Sequence, residues 1–181
     1  MTDLHGQWLQ LVDSGYALLE FMTAGGTVMW ALAGLSVLYW TLVFERMWFM
    51  RRVFPQWVET RREAWAELGK DGGSWQRAVR TAWLAEAQQQ LAGPLRMSKT
   101  LVALYPLLGL LGTVSGMIAV FDVLALNGTG NPRGMAAGVW QATLPTMAGM
   151  VLAITGLFSL ARLERISRLA LDRLADQLRH D

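Results

Sequence analysis

The side chains able to do chemistry in the apolar parts of this sequence are alcohols and one amide: Thr113, Ser115, Gln141, Thr143, Thr146 and Thr155. A threonine hydroxyl bonds readily to its own helix backbone, so each of these alone serves packing equally well. Gathered on facing helices, the same groups donate and accept hydrogen bonds, and they suit a narrow, partly wet passage or a proton relay. Gln141 and Thr146 stand five positions apart, roughly 140° round a helix. They share one axis only if Pro145, which lacks a backbone donor, distorts the helix between them. Pro106 is the matching candidate for distortion in the preceding apolar run.

Absences narrow the chemistry further. Residues 21–44, 100–121 and 134–161 hold no Asp, Glu, Lys or Arg. Proton-driven machines use an intramembrane carboxylate as the titrating site. If protons cross here, that carboxylate must belong to another chain. No segment gathers a nucleophile, a base and an orienting group, so an enzyme is the least favoured class. His5 and His180 stand near opposite ends, and the absence of cysteine excludes disulfides, thiolate metal sites and cysteine catalysis. Neither a cofactor nor a metal is expected.

The polar groups lie on or near two stripes of small residues. Gly109, Gly112 and Gly116 recur at helical spacing in one run, and Ala142, Thr146, Gly149 and Ala153 do so in the next. Small residues let helix backbones approach closely, which is how helices associate in lipid. Two matched faces on successive runs point to tight packing.

The elements that carry these faces follow from the uncharged runs. They are 24, 22 and 28 residues long, and about 20 apolar residues cross the hydrocarbon of a bilayer. Composition agrees: of 181 residues, 53% are hydrophobic and only 17% charged, against about 25% charged in soluble domains. Mean hydropathy is +0.29. The reading is an all-α integral membrane protein with three transmembrane helices. Residues 1–20 contain no Lys or Arg, unlike a signal peptide, so the first span is expected to be retained. Of the sixteen basic residues, ten fall in 45–99 and five in 162–181. The positive-inside rule then puts both segments in the cytoplasm and the N-terminus and second loop outside. A net charge of +2 gives no reason to expect a nucleic-acid partner.

Outside the bilayer, Leu4, Trp8, Leu11, Val12 and Leu19 suit an amphipathic helix on the outer surface, with a frayed tail as the alternative. Gly25-Gly26 reads as a turn into the first span. In the cytoplasmic segment a helix is expected from Pro55, a turn at 70–73, and a second helix from about 74 to 91 that Gly93-Pro94 breaks. Leu163, Ile166, Leu169, Leu174 and Leu178 alternate with charges in an amphipathic tail. The arginines of these segments suit either anionic headgroups or a solvated face.

Three regions resemble the ExbB/TolQ/MotA group of proton-channel subunits, and ExbB most of all. The first is Gly26-Thr27-Val28-Met29-Trp30 with Ser36 and Glu45-Arg46. The second, the most specific, is the stretch 106–117 with Phe121. The third is Met135-Ala136-Ala137-Gly138 with Ala142 to Thr146 and Gly149. The uncharged runs and the basic residues divide the chain into an outer helix over 1–20, spans over 21–44, 100–124 and 134–161, a cytoplasmic helical region over 45–99, an outer loop over 125–133 and a cytoplasmic helix over 162–181. The resemblance makes the outer side periplasmic and implies a homopentamer in a bacterial inner membrane. It further implies an ExbD-like single-span partner bearing a membrane aspartate, and a TonB-like protein driven by the proton-motive force to energise outer-membrane transport. Thr113 and Thr146 match the family's pore-facing threonines, with Thr143, Ser115 and Gln141 as further candidates on the proton path. The chain departs from the pattern at three places: Gln141 replaces a glutamate, Thr155 a proline and Tyr105 an alanine. These mark a divergent branch. A TolQ-like envelope task and a non-conducting scaffold are the alternatives.

Overall fold

A computed structural model describes residues 16–17, 19–67, 74–127 and 132–178. Every regular element among them is helical. The elements are α1 (Gly26–Trp48), a π-helical segment (Phe49–Val53), α2 (Phe54–Glu67), α3 (Ser74–Asn127) and α4 (Pro132–Gln177). Three helical stretches, Gly26–Trp65, Trp75–Leu126 and Pro132–Gln177, are long and apolar enough to cross a membrane. The segment 4–19 and the turn at 70–73 lie wholly or almost wholly outside the described residues.

Gly26 begins α1 with φ +70, a conformation only glycine adopts cheaply. The expected turn at Gly25-Gly26 is therefore present. Helix α2 does not start afresh at Pro55. It continues from α1 through the π-segment, where the Phe54 N–H donates to the Phe49 carbonyl. The ladder slips by one residue just before the proline, whose ring crowds the carbonyl four positions back.

The expected break at Gly93-Pro94 is corrected: α3 runs unbroken from Ser74 to Asn127. Pro94 has no N–H for the Gln90 carbonyl. Arg46 supplies the missing donor, its Nη2 lying 2.8 Å from that oxygen. A proline that would end an isolated helix is thus tolerated, because a side chain from α1 satisfies the carbonyl it leaves bare.

The chain divides into two compact units, Met1–Val37 with Ala103–Ile154 and Leu38–Val102 with Thr155–Asp181. In the second, Phe54, Trp65, Ala87, Leu91, Leu174 and Leu178 form a buried core. The Arg61 guanidinium lies over the Trp57 and Trp83 rings, 5.2 and 5.0 Å from their centroids, and pairs with Glu86 at 3.1 Å. Tyr39 is fully buried there, and its hydroxyl donates to the Gly156 carbonyl at 2.8 Å. Ser159 Oγ lies 2.6 Å from the same hydroxyl.

Candidate functional site

The first unit holds the two small-residue faces, and they pack against each other. An alanine Cβ at Gly149 would sit 2.6 Å from the Tyr105 carbonyl oxygen and 3.2 Å from the Gly109 Cα. One at Gly116 would sit 2.6 Å from the Ala142 Cβ. One at Gly112 would overlap the Pro145 ring, which is itself fully buried. Contact this close leaves no room for a Cβ at Gly112, Gly116 or Gly149, so these glycines set the spacing of α3 and α4. Pro145 stays inside a continuous α4, with its ring in the hollow left by Gly112. Pro106 is exposed, and α3 passes through it without interruption. Ala142 and Ala153 are both buried.

The close approach brings Thr113 and Thr146 together. Their hydroxyls are directly hydrogen-bonded. Thr146 Oγ1 lies 2.8 Å from the Gly109 carbonyl oxygen, and Thr113 Oγ1 lies 3.4 Å from it. Each hydroxyl has one proton to give. The shorter geometry makes Thr146 the donor to Gly109, so Thr113 donates to Thr146. The result is a short hydrogen-bonded chain, Thr113 to Thr146 to the Gly109 carbonyl, in which the Thr113 oxygen keeps acceptor capacity.

The other polar residues lie elsewhere. Gln141 and Ser115 both line a cavity of about 630 Å³ whose walls include Gly26, Thr27, Gly112, Gly116 and Gly138. Ser115 Oγ donates to the Gly112 carbonyl at 3.1 Å. Thr143 Oγ1 donates to the Trp140 carbonyl at 2.8 Å, a bond within its own helix. Thr155 is exposed and outside this unit. Gln141 and Thr146 therefore do not converge, as their angular separation implies. No group of three or more His, Asp or Glu side chains that could hold a metal occurs among the described residues.

Two contributors escaped the sequence reading. Tyr39 carries the one phenol in the first apolar run, but nothing in the spacing reveals its partner on α4. Arg46 was legible only as half of a Glu-Arg pair; its acceptor is defined by a proline 48 positions away.

The sequence profile of the MotA/TolQ/ExbB proton channel family matches residues 50–176. The chain belongs to that family. An ExbB-like biopolymer transport protein of Synechocystis sp. is 34% identical over 172 residues, covering 77% of this chain and 68% of that one. The biopolymer transport protein exbB1 of Vibrio cholerae is 40% identical over 73 residues, 40% of this chain and 32% of its own. An ExbB homologue of Methanothermobacter thermautotrophicus is 23% identical over 168 residues, 76% of this chain and 59% of its own. No solved structure gives a significant match. Family membership and three apolar helices together make this a multi-pass membrane protein.

Proposed function

We propose that this chain is the proton-channel subunit of a TonB–ExbB–ExbD-type motor in a bacterial inner membrane. Its N-terminus would be periplasmic and its C-terminus cytoplasmic, with spans over 21–44, 100–124 and 134–161. Five copies would form a ring, and an ExbD-like helix within it would bring the aspartate that the spans lack. One proton moving inward yields ~2.3 kcal/mol per 100 mV. That energy would be coupled, through a TonB-like protein, to transport across the outer membrane.

The observation that carries the reading is the Thr113–Thr146 pair, two hydroxyls joined across the close contact of α3 with α4. The Thr113 oxygen retains acceptor capacity for the O–H of a protonated carboxyl brought by the partner, so the pair supports holding that acid in its neutral form on the proton path. Ser115 and Gln141, at the cavity, would extend the polar path.

A non-conducting scaffold is favoured by one feature of the same pair: both hydroxyls already have partners within the chain. Thr146→Val and Thr113→Val separate the two. With the ExbD-like partner co-reconstituted in liposomes, each should lower proton flux at least tenfold while the complex still assembles. Unchanged flux in both variants would refute a role for the pair in proton passage, and the absence of flux from the wild-type complex would leave the scaffold.

A further inference from the structure

The second unit contains a groove of about 300 Å³ between α3 and α4, at the charged ends of two apolar runs. Three cations border it: Arg96, Lys99 and Arg168. One acid answers them. Glu164 lies 2.6 Å from Lys99 Nζ and 3.8 Å from the Arg168 guanidinium. Formal charge at the groove is thus two positive in excess of neutral. Arg96 makes no ion pair among the described residues.

The floor is apolar. Leu91 and Leu95 are buried and Leu171 half-buried. Ser167, also buried, lines the groove, and among the described residues its hydroxyl donates to the Met50 sulfur, 4.0 Å away. Position in the chain sets the depth. Lys99 immediately precedes the uncharged run 100–121, and Glu164 and Arg168 follow soon after the run 134–161 ends. Cations in excess at the border of hydrocarbon match the phosphate of a lipid whose acyl tails stay in the bilayer. Basic pockets between membrane helices recognise anionic headgroups on this principle. Arginine's fork also suits phosphate oxygens better than a solvated ammonium does.

We propose that this groove binds the phosphate of an anionic phospholipid, held by Arg96 and Arg168, with the acyl chains passing Lys99 into the bilayer and Leu91, Leu95 and Leu171 closing the groove on its cytoplasmic side. Glu164 is the competitor: it already occupies Lys99 and draws on Arg168. The proposal rests on α3 and α4 crossing the bilayer and is independent of any proton path.

The test uses the full chain in detergent micelles with equal amounts of phosphatidylglycerol and phosphatidylcholine of the same acyl chains, read by native mass spectrometry. The wild type should retain phosphatidylglycerol preferentially. Arg96→Gln and Arg168→Gln should each lower that preference about fivefold, the value of one cation near a membrane surface. Glu164→Gln should raise it, a gain that unfolding cannot imitate. Arg51→Gln with Arg52→Gln removes more charge outside the groove and should leave the preference unchanged. Equal retention of the two lipids, no gain in Glu164→Gln, or an equal loss in the Arg51/Arg52 variant would each overturn the proposal. So would displacement of the lipid by an equal concentration of glycerol phosphate, which would assign the site to a free phosphate.

Discussion

Replacing Gly149 by alanine should drive α3 and α4 apart, although alanine is the better helix former. The new Cβ would sit 2.6 Å from the Tyr105 carbonyl oxygen, 3.2 Å from the Gly109 Cα and 3.4 Å from the Gly109 nitrogen. All three are backbone atoms, so no side chain can rotate away and one helix must move. Overpacking of this kind costs about 1–3 kcal/mol. Separation also stretches the Thr146–Gly109 hydrogen bond, worth ~0.6 kcal/mol inside a membrane bundle. The alanine's helix propensity offsets about 1 kcal/mol of this. The net effect is a destabilisation of roughly 0.5–2.5 kcal/mol. Gly34→Ala is the control: that position lies inside α1, and a Cβ there meets nothing within 4 Å. It keeps the propensity gain without the clash, and should be neutral or stabilising. Unfolding by dodecyl sulfate in mixed micelles, followed by circular dichroism, reads both. Wild-type stability in Gly149→Ala, or an equal loss in Gly34→Ala, would refute the claim that Gly149 sets the helix spacing.

Arg46→Met should destabilise by about 1.5–3 kcal/mol, the worth of a charged hydrogen bond, because it leaves the Gln90 carbonyl bare. The cost should shrink when Pro94→Ala is also present, since that substitution restores an in-helix N–H donor; additive losses in the double-mutant cycle would rule out the compensation. Tyr39→Phe should cost about 0.5–1.5 kcal/mol. Ser159 still donates to the Gly156 carbonyl at 2.9 Å, which keeps this loss modest. A loss above about 3 kcal/mol by the same micelle titration would mean that the phenol does more than bond to α4.

Much of the architecture was legible in the residues before any coordinates. Uncharged runs of more than 20 residues leave helices as the only open structure for lipid, because each backbone group must find its partner within the segment. Gly109, Gly112, Gly116, Ala142 and Gly149 could be read as a close contact, since small residues at helical spacing have few other uses. Gly26 could be read as a turn. These are properties of short stretches, and short stretches carry their own physical signal.

Proline defeated that kind of reading. Gly93-Pro94 signals a helix end by every local rule, yet α3 continues, because whether a freed carbonyl is tolerable depends on what stands opposite it. The pairing of Thr113 with Thr146 likewise needed three dimensions. Periodicity says which residues share a face of one helix; only the packing of two helices decides which hydroxyls come within bonding distance, because that depends on their rotation, height and spacing together.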